Sequence, residues 1–147
     1  IAFGLALALP ERKVVSLDGD GNLLFNLVVL GDIANKAPKN LGIIVFDNES
    51  YESCGRFPTA TAGNVDLSAV ARGCGITNAC TVRDLEEFAE AMGRFLKGRE
   101  LAMVVAKVTP EPEYNRTKEL PSVPETTFTF ARHIEQLEGR PVLPARK

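Results

Sequence analysis

Two runs in the chain, LGIIVF at 41–46 and LAMVVAKV at 101–108, are apolar almost without interruption and far too short to span a bilayer. A strand that is apolar on both sides must be covered on both faces. A parallel sheet enclosed by helices is the architecture that does this. KVVSLD at 13–18 and the weaker ITNACT at 76–81 add two further strand-type runs. Helical patterns lie between them, and this alternation predicts an α/β domain: a doubly wound, mainly parallel sheet with helices on both faces.

IAFGLALAL at 1–9 reads as the end of a buried helix stopped by Pro10. It starts in mid-pattern at Ile1 rather than Met, so further chain is expected upstream. Residues 22–37 (NLLFNLVVLGDIANKA) read as one helix, apolar around most of its circumference, with Phe25, Leu27 and Val29 as core. Some of that apolar surface is available to a partner subunit. A polar loop is expected over 47–64, then a short helix capped by Asp66 and ending near Gly73 and Gly75. Thr81 and Asp84 resemble a capping box for the next helix, on which Leu85, Phe88, Ala89, Met92, Phe95 and Leu96 form one stripe before Gly98 ends it. Beyond Thr109, Pro110, Pro112, Pro121 and Pro124 mark an extended connection, followed by a helix over 127–137 and a loose tail. The expected organisation is one domain over 1–147, with 109–147 as connection, helix and tail.

With 17 Lys and Arg against 19 Asp and Glu, and a net charge of −2, no basic excess is available to hold a polyanion. Nucleic acid is therefore excluded as the main partner, and no run is long enough for a membrane span. The three cysteines, Cys54, Cys74 and Cys80, form no CxxC pair and read as small core thiols in a reducing, cytoplasmic compartment. The single histidine, His133, has no triad pattern around it and reads as structural. Asn115-Arg116-Thr117 fits a glycosylation acceptor by chance, since no secretory signal accompanies it.

Chemistry concentrates at Asp18-Gly19-Asp20-Gly21-Asn22. Read as a calcium loop, this stretch needs glycine at position 23 and glutamate at position 29, where Leu23 and Val29 stand. Read as a strand–turn–helix junction, it offers free N–H groups to a phosphate, with Gly19 and Gly21 giving close backbone approach and the φ > 0 geometry of an anion nest. Asp20 would repel a bare phosphate and makes sense with a magnesium ion between them. A second ligand should then come from the neighbouring strand end, where Asp47 and Asn48 stand.

Gly19-Asp20-Gly21, then 26 residues, then Asn48 resembles the cofactor motif of thiamine diphosphate enzymes. GLALALPERKVVSLDGDGNLLFNL, KNLGIIVFDNESYES and PTATAGNVDLSAVARGCGI are similar to the diphosphate-binding subunits of sulfopyruvate and phosphonopyruvate decarboxylases. The resemblance implies thiamine diphosphate and Mg2+ as cofactors. It implies a magnesium held by Asp20, Asn48 and the backbone carbonyl of Ser50. Gly19, Gly21, Asn22 and Tyr51 would complete the cofactor site. It also implies an oligomer in which a pyrimidine-binding domain or alpha subunit supplies the activating glutamate, so no catalytic residue is assigned on this chain. The reaction implied is decarboxylation of a small 2-oxo acid with a second anionic group. YESCGRFPT at 51–59 departs from the family's more glycine-rich stretch, and there Arg56 is a candidate for binding the substrate's anionic group. Two alternatives remain: a carboligating enzyme of the acetolactate synthase kind, and a non-catalytic nucleotide- or phosphate-binding module. The loop after Asn48 is expected to be mobile without cofactor.

Overall fold

The structure, a computed structural model, describes residues 1–110 and 122–142. The chain divides into two compact units, Ile1–Glu111 and Pro112–Lys147. The prolines and the glycosylation-type triplet between 111 and 121, and the tail beyond 142, lie outside the described residues.

In the first unit, α1 (Ala2–Ala8) leads into β1 (Val14–Gly19), followed by α2 (Asp20–Leu24), α3 (Val29–Lys36) and β2 (Leu41–Asp47). A hairpin of β3 (Ser50–Tyr51) and β4 (Phe57–Pro58) comes next, then α4 (Leu67–Gly73), β5 (Ala79–Val82), α5 (Leu85–Lys97) and β6 (Ala102–Lys107). The main sheet has four parallel strands in the order β1-β2-β6-β5. Side-chain alternation splits its core in two. Leu41, Ile43, Val45, Met103 and Val105 pack against Ala6, Leu23, Leu30, Ile33, Leu67 and Ala71, from α1 to α4. Val82, Val104 and Ala106 pack against α5 through Ala91, Phe88 and Met92. Helices thus cover both faces, as the two uninterrupted apolar runs require.

Two buried contacts fix how the helices meet the sheet. An ideal Cβ on Gly42 would lie 2.8 Å from the Phe95 ring, so glycine here lets α5 approach β2. Asn40 is buried, and its Nδ2 donates to the main-chain carbonyls of Ala6 (3.0 Å), Leu9 (2.9 Å) and Arg12 (2.8 Å). The two protons of one amide are thus shared among three carbonyls in and just after α1, which pins that segment to the start of β2. Asn40→Ala removes every one of these donors, and urea denaturation should show a loss of about 2 kcal/mol.

Several expectations need correcting. The helix expected over 22–37 is two helices, α2 and α3, separated by a turn over 25–28. Phe25 and Val28 lie in that turn and are 75% and 80% exposed, so Phe25 is not core; Leu27 and Val29 are partly buried against it. The stripe on α5 is narrower than expected. Phe88, Ala91, Met92 and Phe95 form its seam, while Leu85, Ala89 and Leu96 fall to one side and are exposed. Thr81 belongs to β5, and Asp84 is the cap, accepting from the Glu87 N–H at 2.8 Å. Cys54 ends a short 3-10 helix over Glu52–Cys54 and Cys74 follows α4, both exposed, and Cys80 is half-buried, so the thiols are not a core set.

Asp66 caps α4 as expected. Its carboxyl is held below the usual range by the Ser68 hydroxyl and the Ala69 N–H. In the second unit, α6 (Val123–Glu138) begins four residues earlier than its expected start at 127, because Ser122 and Glu125 form a reciprocal capping box. His133 lies exposed on this helix. No helix among the described residues is long and apolar enough to cross a membrane.

Candidate functional site

The C-terminal ends of β1, β2 and β6 lie side by side, with Gly19 paired to Phe46 and Asp47 to Lys107 in register. Ligands of open parallel sheets sit beyond these ends. Asp20, the first residue of α2, and Asp47, the last of β2, are each only 2% exposed. Asp47 continues the inward row of Leu41, Ile43 and Val45, and Lys107 that of Met103 and Val105, so chain alternation aims both side chains at the same layer.

Burial of two carboxylates demands partners. Lys107 Nζ contacts Asp47 Oδ2 at 2.8 Å and Glu49 Oε1 at 2.7 Å. Burial alone would lower the Lys107 ammonium, but hydrogen bonds and attraction from Asp47 and Glu49 outweigh it and hold its pKa above the ordinary lysine value. Asp20 Oδ2 accepts from the Thr59 hydroxyl at 2.6 Å, and Thr61 Oγ1 stands 3.2 Å from the same oxygen and 2.7 Å from Asp47 Oδ1. The two hydroxyls are 2.8 Å apart. Thr59, Thr61 and Lys107 were not read as site residues from the sequence. In the sequence they stand apart from both motifs, and only the return of the loop brings the threonines to Asp20.

That loop is not featureless. Asn48 Oδ1 accepts the Ser50 N–H at 3.0 Å, Ser50 pairs with Pro58, and the Thr59 N–H reaches back to the Glu49 carbonyl at 3.0 Å. Glu49 and Arg56 take left-handed backbone conformations, with φ of 61° and 59°. Tyr51 lies directly over Gly21: an ideal Cβ there would come within 2.6 Å of its ring. The Phe25 and Tyr51 ring centroids are 5.5 Å apart. The structure therefore brings together Gly19, Asp20 and Gly21 at one strand end with Asn48, Ser50 and Tyr51 from the next. Arg56 is exposed at the hairpin turn, and Asn22 is exposed, its side-chain amide donating to Asp18 Oδ1.

The backbone corrects the nest geometry expected of the glycines. Gly19 is extended at φ −104° and Gly21 is helical, so neither supplies φ > 0. Gly21 is required instead by the close approach of Tyr51. The helix also starts at Asp20 rather than after Gly21.

The residues fit a hard divalent cation. Asp20, the Asn48 amide oxygen and the Ser50 carbonyl are oxygen donors of the kind magnesium takes. Two hydroxyl protons serve four close oxygen–oxygen contacts around Asp20 and Asp47, so the cluster holds more acceptors than donors. A cation settles such an excess. Among the described residues, no three His, Cys, Asp or Glu side chains converge on a metal position.

A parallel sheet with buried carboxylates at adjacent strand ends makes this an α/β domain whose ligand site is expected beyond those ends. Residues 1–106 match the family described as thiamine pyrophosphate enzyme, C-terminal TPP binding domain, and the chain belongs to that family. It is 37% identical to the sulfopyruvate decarboxylase subunit beta of Methanocaldococcus jannaschii over 123 residues, covering 83% of this chain and 65% of that protein. It is 39% identical to phosphonopyruvate decarboxylase of Streptomyces viridochromogenes over 98 residues, covering 65% of this chain and 24% of that one. The chain thus spans less than two thirds of either protein. The fold matches the benzoylformate decarboxylase of Polynucleobacter necessarius with a TM-score of 0.65 at 24% identity, over 78% of this chain and 24% of that structure.

Proposed function

We propose that this chain is the diphosphate- and Mg2+-binding subunit or domain of a thiamine diphosphate-dependent 2-oxo acid decarboxylase of the sulfopyruvate or phosphonopyruvate type. The observation that carries the reading is Asp20: a carboxylate buried at the shared end of two parallel strands, facing a loop of oxygen donors. Membership of the family and the names of the two relatives support it.

In this reading Asp20, Asn48 and the Ser50 carbonyl hold magnesium, and the backbone of Gly19, Gly21 and Asn22 with Tyr51 lines the diphosphate. The bound cofactor would supply the electron sink for decarboxylation. This chain's residues do the binding and orienting, and Arg56 is the candidate for binding the substrate's second anionic group. In this reading the activating glutamate comes from a pyrimidine-binding partner, the active unit is an oligomer with that partner, and the enzyme works in the cytoplasm.

Turnover separates this from the alternatives. Supplied with cofactor and 2-oxo acid, the chain alone should not decarboxylate, whereas the assembly with its partner should release an aldehyde. Robust turnover by the chain alone would overturn the need for a partner. A ligated hydroxyketone as the assembly's product would favour the acetolactate synthase-like reading.

A further inference from the structure

The loop that carries Asn48, Ser50 and Tyr51 is anchored at both ends. Behind it, Asp47 is paired with Lys107; ahead of it, Thr59 and Thr61 meet Asp20. We propose that Thr59 is a positioning residue that orients Asp20 for the cation, that Thr61 joins it by holding Asp47 beside that carboxylate, and that the pair ties closure of the 48–58 segment to the two carboxylates. This rests on the magnesium-diphosphate reading above.

Three observations carry it. Both threonines are buried, at 5% exposure each, and a buried hydroxyl is retained at little cost only when it has a partner. Thr59 meets Asp20 at Oδ2, and Thr61 Oγ1 lies 3.2 Å from the same oxygen, so both approaches fall on Oδ2 and leave Oδ1 to a ligand. The proton count then assigns roles. Each hydroxyl has one proton, so the 2.6 Å contact makes Thr59 the donor to Asp20, while the 2.7 Å contact directs the Thr61 proton to Asp47. Thr61 thus stands between the two carboxylates and shares the space that would otherwise bring them together. The Thr59 N–H bond to the Glu49 carbonyl completes the latch by holding the returning strand against the departing one.

The test uses the full protein with its partner, and reads both magnesium-dependent binding of thiamine diphosphate and amide exchange without ligand. Thr59→Val and Thr61→Val should each weaken binding by about 10–100-fold, the range seen when the hydrogen-bond partners of metal ligands are removed. Exchange over 48–58 should rise, while exchange in β2 and β6 stays unchanged. Thr61→Ser, which keeps the hydroxyl, should restore both. If the valine variants do not fold, Thr61→Ala must lose binding where Thr61→Ser keeps it. Valine variants that bind like wild type with unchanged exchange would overturn the positioning role alone. A serine variant as impaired as the valine would also overturn it, since packing would then be the cause. If wild type itself shows no magnesium-dependent binding, the site reading falls and the positioning role falls with it.

Discussion

Asp20→Asn is expected to abolish cofactor binding while leaving the ligand-free protein as stable as wild type or more so. The two effects have opposite signs because, in the proposed site, the carboxylate is there for the cation. Asp20 and Asp47 approach a single Thr61 hydroxyl, at 3.2 and 2.7 Å, so the ligand-free cluster brings two acceptors to one proton. Replacing one carboxylate by an amide supplies donors and removes a like charge, which should raise stability by about 1 kcal/mol. Binding behaves otherwise. Removing even the outer partners of a metal ligand costs about 10–100-fold, so loss of the ligand itself should cost at least the upper end of that range. Asn48→Ala should weaken binding in the same direction. The check is a pair of measurements on each variant: urea denaturation without ligand, and calorimetric titration with thiamine diphosphate and magnesium. Binding that survives both substitutions contradicts the proposed ligand set.

Lys107→Met should be the most destabilising single change near the site. It leaves the Asp47 carboxylate, 2% exposed, without its counter-charge, and stranding one member of a buried pair costs about 3–5 kcal/mol. Thr61 and the Glu49 N–H remain on Asp47 Oδ1, but Oδ2 loses its cation. The double variant Lys107→Met/Asp47→Asn should recover more than half of the loss, since no buried charge is then left over. The same pair sets a pH dependence. The Lys107 pKa is raised above its unfolded value of about 10.5, so its stabilisation is complete below that pH and is lost as pH climbs through the folded value. Denaturation midpoints should therefore fall more steeply above pH 10 in wild type than in Lys107→Met. A loss under about 1 kcal/mol in the single variant would mean that water reaches Asp47 and does the work assigned to the lysine.

The parallel sheet was legible in the sequence because its two central strands, β2 and β6, are apolar on both sides, and few other environments accept such runs. Their order was not. Nothing in the spacing places β6 between β2 and β5, since strand order depends on which helix packs on which face. The break between α2 and α3 was hidden for a related reason: residues 25–28 contain neither glycine nor proline, and the apolar residues continue through the turn into exposed Phe25 and Val28. At the site, Asp20 and Asn48 stood out through residue type, spacing and their positions at strand ends. Thr59, Thr61 and Lys107 did not, because threonine and lysine are ordinary in such segments. Their roles come from chain return, over 39 residues for Thr59 to Asp20, and from a ladder register that sets Lys107 beside Asp47. Gly21 is required for a reason the sequence did not show, since the space a side chain would take belongs to the Tyr51 ring, whereas a Cβ at Gly19 would meet nothing within 4 Å.

The proposed magnesium-diphosphate site lies between the Asp20 and Asn48 strand ends. Its most direct test is titration of the protein, with its partner, by thiamine diphosphate with and without magnesium, using unphosphorylated thiamine and ATP as controls. Thiamine diphosphate should bind only when magnesium is present, with no comparable binding of either control. Equal binding with magnesium removed, or binding of ATP as tight as that of thiamine diphosphate, would contradict it.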